Sequence, residues 1–166
     1  MSIRLHSFVL VGTGCSLPVS DKILNGLETD YDATIDTIAR YCFSKSVNPG
    51  LLESARTELR RADPEIVRAD FRACNALNVC HRLHEIALPM LIICGDKDLD
   101  LMTPLAFSQK LHTPIANSRL EVIPGGSHML MLERADEFNA IVPFRAVIGY
   151  RLASRLSVQP SVTETD

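Results

Sequence analysis

The distribution of apolar residues along the chain predicts three strands. Residues 7–11 (SFVLV), 90–94 (MLIIC) and 120–123 (LEVI) are short apolar runs, and each is followed by a turn that contains glycine. Unbroken runs of this length are typical of strands buried on both faces of a parallel sheet, whereas the alternation in the third run favours an edge strand. The pattern therefore predicts an α/β fold with three parallel strands.

Between these runs, apolar residues recur every three or four positions, which is the spacing of one face of a helix. Proline suits the first position of a helix, so three Pro-containing pairs are read as helix starts. The predicted helical segments are Ser20 to Cys42, Asn48-Pro49 onward, Asp63-Pro64 onward, Thr103-Pro104 onward and residues 133–142.

The order of the predicted elements separates a sheet region from a helical insertion. The second and third strands are joined by a single helix, which is a normal βαβ crossover, but a long helical stretch separates the first strand from the second. We therefore predict a helical cap, or lid, at residues 18–88, inserted into a core made of residues 1–17 and 89–150. The polar, aperiodic residues 157–166 predict a disordered tail.

Length and charge exclude several classes of function. The 166 residues suit one domain with a substantial core, and the net charge of -3 offers no electrostatic footprint for nucleic acid or an anionic membrane. No stretch approaches the ~18 consecutive apolar residues of a spanning helix, and the first residues lack a small-residue cleavage site. We expect neither a nucleic-acid partner nor a membrane partner.

The cysteines predict a reducing environment. There are five, an odd number, and no two of them form a C-x-x-C pair. Cys42, Cys74 and Cys94 fall on apolar-periodic positions, where a thiol behaves as a small core residue. A cytoplasmic location follows from this usage.

Candidate chemistry lies where the second and third strands end. Asp96 and Asp98 follow the second strand, and Gly125-Gly126-Ser127-His128 follows the third. Both loops are expected at the carboxyl edge of the sheet, where open α/β folds bind ligands. A carboxylate beside an imidazole fixes its tautomer and stabilises the imidazolium. Asp98 alone fits a turn residue equally well, and a lone histidine near a glycine turn is more often structural, so the combination carries the functional interpretation.

Four blocks of this sequence resemble the C-terminal half of an α/β-hydrolase. They are FVLVGTGCSLPVS, RADPEIVRADFRACNALNV, LPMLIICGDKD with Thr103-Pro104, and VIPGGSHMLMLERADEFN. The resemblance is to the capped hydrolases that include esterases and carbon–carbon-bond hydrolases of aromatic degradation, and it covers roughly residues 3–141.

This resemblance implies a partial α/β-hydrolase sheet that contains the last three strands of the family core, with residues 18–88 as its lid. It implies that Asp98 is the acid and His128 the base of a catalytic triad that needs no cofactor and no metal. A complete relative would act on a small apolar or aromatic ester-type substrate. The neighbouring Asp100 competes with Asp98 for the acid role, and Asp98 is preferred because it lies closer to the strand.

The nucleophile of the family is the serine of a G-x-S-x-G turn that precedes the acid and the histidine. No such motif occurs in these 166 residues, and the oxyanion-hole loop is missing as well. Ser127 is a poor substitute because adjacent side chains at a tight turn diverge, and Ser16 and Cys15 lie on the path into the lid. We therefore expect hydrolysis by this chain alone to be near background.

A second hypothesis is a non-catalytic remnant or interaction module. With the earlier strands of the family absent, residues 7–11 would form an open, apolar sheet edge, and such an edge invites pairing with another chain. A homodimer, or docking onto a separate N-terminal half, would cover it.

Overall fold

The computed structural model describes residues 5–97 and 102–142. In this part of the chain, the strands β1 (Phe8–Val11), β2 (Met90–Gly95) and β3 (Ser118–Ile123) form one parallel sheet in the order β1-β2-β3. The predicted α/β fold with three parallel strands is confirmed. The predicted tail at residues 157–166 lies outside the described residues.

The central strand of the described sheet is β2, and all six of its residues are buried. The predicted edge position of β3 is confirmed, since β3 pairs with β2 on one side and Val122 is 37% exposed. The expectation that the first strand is buried on both faces is wrong for the sheet as described. There β1 is also an outer strand, and Val9 is 38% exposed.

Helices occupy the long connection between β1 and β2 and flank β3. Their bounds are α1 (Asp21–Thr29), α2 (Tyr31–Tyr41), α3 (Pro49–Arg61), α4 (Pro64–Ala76), a 3₁₀ helix (Cys80–Glu85), α5 (Leu105–His112), α6 (Leu130–Glu133) and α7 (Ala135–Ile141). Within the described ranges, no helix combines the length and apolar character needed to cross a membrane.

The helix starts follow local capping chemistry. Asn48 Oδ1 accepts a hydrogen bond from the Gly50 N–H at 2.8 Å, and Asp63 Oδ1 accepts one from the Glu65 N–H at 2.8 Å, as expected for residues that precede a proline-initiated helix. The apolar series from Ser20 to Cys42 is divided between two helices. Asp30 ends α1 and caps α2, because its side chain accepts a hydrogen bond from a backbone N–H in the first turn of α2.

The four helices α1–α4 form a helical unit with its own apolar core. Leu27, Ile35 and Phe43 are almost completely buried there. The sheet has two further cores. α5 covers one face and packs against Ile92, while α6 and α7 cover the other and pack against Ile93. The helical unit therefore stands beside the carboxyl edge of a sheet that is itself sandwiched by helices.

The chain leaves the sheet and returns to it through one narrow connection. Cys15 and Cys80, 65 residues apart, form a disulfide there, and the Val79 N–H donates a hydrogen bond to the Cys15 carbonyl at 2.8 Å. No spacing in the sequence indicates this disulfide, because the fold joins positions that are distant along the chain. Of the three cysteines predicted to lie in the core, Cys42 and Cys94 are buried and Cys74 is only half-buried. The cytoplasmic location stays a prediction, and disulfides are rare in that compartment.

Candidate functional site

The loops that follow β2 and β3 meet at the carboxyl edge of the sheet, as the sequence predicts. Asp96 Oδ1 accepts a hydrogen bond from the Gly125 N–H at 2.7 Å, and the Lys97 N–H donates to the Gly126 carbonyl at 2.8 Å. Asp96 therefore has a structural role, since its carboxylate joins the two loops directly.

Glycine is required where these loops touch. Gly125 has φ +72°, in the left-handed region that favours glycine, and a Cβ atom on Gly95 would collide with the backbone of Gly126. The close approach of the two backbones brings the segment that carries His128 against the end of β2. The glycine pair before His128 thus makes the tight turn that its sequence predicts.

His128 lies between the end of β1 and the segment that precedes α5. Its Nδ1 is 2.8 Å from Thr103 Oγ1, and Thr103 is only 5% exposed. On the other side is Gly12, where a Cβ atom would lie 3.4 Å from the same nitrogen. The ring is therefore confined by β1 and oriented by a buried hydroxyl.

Asp98 and Asp100, the two candidate acids, lie outside the described residues. The preference for Asp98 over Asp100 therefore remains a prediction from the sequence. Thr103 was not identified as a site residue from the sequence, where Thr103-Pro104 indicates only the start of a helix. A threonine just beyond the strand-end acids was the available signal, but its contact with His128 depends on tertiary structure.

Ser127 is fully buried, and its hydroxyl contacts the helical unit and α6. Its hydroxyl lies 2.9 Å from the Cys42 carbonyl oxygen and also contacts a carboxylate oxygen of Glu133. A hydroxyl engaged in this way is not positioned as a nucleophile for His128, in agreement with the sequence argument against it.

The two other substitutes considered for the nucleophile lie at the connection to the helical unit. The sulfur of Cys15 is bonded to Cys80 and the residue is 2% exposed, so it offers no thiolate. Ser16 forms an isolated antiparallel bridge with Asn78 beside this disulfide.

A cavity of about 310 Å³ opens beside His128, between the end of β1 and the helical unit. Its described lining contains no Asp, Glu, Lys or Arg side chain. Apolar residues from three parts of the chain contribute to it: Val19, Ile23, Ile38, Phe71 and Met102. A concave, mostly apolar site with a few polar groups is the usual form of a small-molecule site. The geometry can accept an apolar group and present it to the imidazole.

Comparison with known proteins gives several relatives that are hydrolases or esterases. No protein-family model matches the chain. The chain is 38% identical over 65 residues to human serine hydrolase BPHL, covering 39% of this chain and 22% of the relative. It is 25% identical over 130 residues to a pimeloyl-[acyl-carrier protein] methyl ester esterase of Neisseria meningitidis serogroup A, covering 77% of this chain and 41% of the relative.

Solved structures agree with these relatives. A thermophilic esterase superposes with a TM-score of 0.74 at 34% identity, covering 86% of this chain and 57% of that one. The enol-lactonase of Burkholderia xenovorans LB400 shares the fold, with a TM-score of 0.75 at 21% identity over 84% of this chain and 55% of that one. The chain therefore spans half or less of its curated relatives and a little over half of these structures. By its sheet, its strand-end loops and these similarities, the chain has the fold of the α/β-hydrolases and is similar to serine hydrolases of that fold.

Proposed function

We propose that the chain carries the acid and base of an ester-cleaving α/β-hydrolase, with His128 as the general base and Asp98 as the group that orients it. The observation that carries the proposal is the position of His128. It stands at the carboxyl end of β3, has its Nδ1 2.8 Å from a buried hydroxyl, and lines an apolar cavity. The nucleophilic serine would come from outside these 166 residues.

The role of Asp98 is supported by the residues that flank it. Lys97, directly before it, donates its N–H to the carbonyl of Gly126, which is two residues from His128. Thr103, beyond the segment, contacts the imidazole itself. The described residues on either side of the segment, Lys97 and Thr103, therefore contact the loop of His128 and its ring. Asp98 follows the first of these contacts, whereas Asp100 is two residues farther along.

The proposed reaction follows from the two nitrogens of the imidazole. With Nδ1 held by Thr103 and the acid, Nε2 accepts the proton of the serine hydroxyl as the serine oxygen attacks the ester carbonyl. The imidazolium then donates that proton to the leaving alcohol. In the second half of the reaction the neutral imidazole takes a proton from water as the water oxygen attacks the acyl carbon. The imidazolium then returns that proton to the serine oxygen as the bond between this oxygen and the acyl carbon breaks, which releases the carboxylic acid.

The cavity supports an apolar or aromatic acyl group as the part of the substrate that is bound. Its lining comes largely from the helical unit, so we propose that residues 18–88 act as the lid of the site. The similarity to a methyl ester esterase and to a thermophilic esterase favours carboxylic esters as substrates.

A complementation assay tests this function. The purified chain alone should hydrolyse p-nitrophenyl butyrate at the background rate and should not react with a fluorophosphonate probe. Co-expression with a segment that supplies the earlier strands and a G-x-S-x-G serine should give both turnover and labelling. His128→Ala should abolish that turnover, whereas His84→Ala, an exposed histidine on the 3₁₀ helix, should retain it.

Two results would contradict the proposal. Probe labelling of the chain alone would show that it contains its own nucleophile. Equal turnover by the His128→Ala and His84→Ala proteins in the complemented enzyme would remove His128 from the chemistry.

A second candidate function rests on the sheet edge. Within the described residues β1 pairs only with β2, and Val9 is 38% exposed. Such a strand offers its backbone groups to another chain. In this alternative the protein is an interaction module that associates through β1, as a homodimer or with a separate N-terminal half.

A further inference from the structure

The residues on both sides of His128 are held by the same carbonyl group of the helical unit. The Met129 N–H donates a hydrogen bond to the Cys42 oxygen at 2.9 Å, and the Ser127 hydroxyl lies 2.9 Å from that oxygen. Cys42 is the residue that ends α2. The backbone before and after the imidazole is therefore fixed to the end of one helix.

A carboxylate completes this arrangement. Glu133 Oε1 accepts hydrogen bonds from the Ser44 N–H at 3.0 Å and from the Ser44 hydroxyl at 2.6 Å, and Glu133 Oε2 contacts the Ser127 hydroxyl. Ser44 and Glu133 are 89 residues apart in sequence. A single side chain on α6 thus connects the segment after α2 with the residue that precedes His128.

These hydrogen bonds hold the backbone on both sides of the imidazole, and they lie outside the cavity. Glu133 and Ser44 are not among the described residues that line the cavity. What these bonds control is the position of the backbone from which the ring projects. A hydrogen bond such as the one at 2.8 Å between His128 and Thr103 weakens when its atoms move apart by a few tenths of an ångström.

We propose that Glu133 is a positioning residue for His128: its carboxylate links the position of the C-terminal end of α2 at the sheet edge to the orientation of the imidazole. The inference rests on the proposed role of His128 as the base. Glu133 acts through Ser127 and Ser44, and it takes no part in proton transfer.

The first test is NMR spectroscopy of the full chain with labelled histidine side chains. Glu133→Ala should shift the imidazole signals of His128 while those of His112 and His84 stay in place. Exchange of the Met129 amide proton should become about tenfold faster, as expected when a hydrogen-bonded contact is weakened. Glu137→Ala is the matched control, since the ion pair of Glu137 with Arg134, at 3.8 Å, is exposed.

Glu133→Gln is the conservative rescue. Its amide oxygen can accept from Ser44, and its amide N–H can donate to the Ser127 hydroxyl, which then donates to the Cys42 carbonyl. The His128 signals of this variant should stay near the wild-type positions. If Glu133→Ala does not fold, Ser44→Ala provides the second variant; it removes one of the two bonds to Oε1 and should shift His128 in the same direction by less.

Unchanged His128 signals in Glu133→Ala, or an equal change in Glu137→Ala, would overturn the inference. In the complemented enzyme Glu133→Ala should lower kcat about tenfold and leave KM within about twofold, because the cavity is intact. The NMR measurement does not depend on turnover. A failure of the proposed catalytic function therefore shows in the complementation assay, and a failure of the positioning role shows in the spectra.

Discussion

Thr103 holds the imidazole of His128 through a hydroxyl group that is almost completely buried. It directly precedes Pro104 and the first turn of α5, where the Phe107 N–H donates to the Pro104 carbonyl at 2.8 Å. The threonine is therefore attached to a rigid part of the fold. A fixed hydroxyl on one ring nitrogen restricts the rotation of the imidazole, which helps to place the other nitrogen of a general base.

Thr103→Val tests this contact with little change of shape. Loss of the hydroxyl should destabilise the fold by about 1 kcal/mol, the usual net contribution of one hydrogen bond, and should shift the His128 imidazole signals. Thermal unfolding and histidine NMR measure the two effects. Thr113→Val is the control, since the Thr113 hydroxyl bonds only to a backbone carbonyl at the end of α5. An unmoved His128 signal in Thr103→Val would contradict the proposed orientation.

Gly12 lies against the other side of the His128 ring. Its φ of +50° lies in the left-handed region, and a Cβ atom there would stand 3.3 Å from the His128 carbonyl oxygen. Gly12→Ala should cost about 1–2 kcal/mol of folding free energy, the penalty for an L-residue in that conformation. Denaturant unfolding measures the cost.

Gly50→Ala is the matched control for Gly12→Ala. Gly50 lies in the first turn of α3 without a positive φ, and a Cβ atom there would lie 3.2 Å from Asn48 Oδ1, a side-chain atom that can shift, so alanine should be close to neutral. Equal stability of the two variants would show that the conformation at Gly12 is not needed.

At the scale of elements, local chemistry accounts for what the sequence predicts correctly. The apolar runs identify the three strands, and Asn48 and Asp63 cap the helices that they were expected to start. Apart from the meeting of the loops after β2 and β3, contacts between distant segments were not predicted. Ser44 and Glu133, or Cys15 and Cys80, meet only because the helical unit returns to the sheet edge, and no spacing along the chain encodes that return.

The Cys15–Cys80 disulfide should make a large contribution to the stability of this connection. It closes a loop over a sequence separation of 65 residues, and the chain-entropy argument gives about 4 kcal/mol for a loop of that size. Dithiothreitol should therefore lower the melting temperature of the wild-type chain. The double variant Cys15→Ser/Cys80→Ser should melt at the lower temperature with or without the reductant.

Cys74→Ser provides the control for the disulfide, because Cys74 lies on α4, within the loop that the disulfide closes, and takes no part in the cross-link. It should retain the response to dithiothreitol. A wild-type melting temperature that is unaffected by reductant would contradict a stabilising cross-link between Cys15 and Cys80.

At the scale of the whole molecule, the described chain has two outer strands of different character. Both carry a partly exposed valine, Val9 on β1 at 38% and Val122 on β3 at 37%. The chain spans 57% of the thermophilic esterase that it superposes on. The resemblance makes β3 the last strand of the family sheet. The earlier strands of that sheet would therefore add to the outer edge of β1.

The two valines allow the edges to be compared directly. A lysine on an outer strand disfavours pairing with another chain, because a charge must then be desolvated at the new strand contact. Val9→Lys should raise the monomer fraction of the isolated chain in light scattering and weaken its complementation by the segment with the earlier strands. Val122→Lys, with nearly the same exposure, should change neither. A greater effect of Val122→Lys would place the association at β3, and equal effects would remove β1 as the specific docking edge.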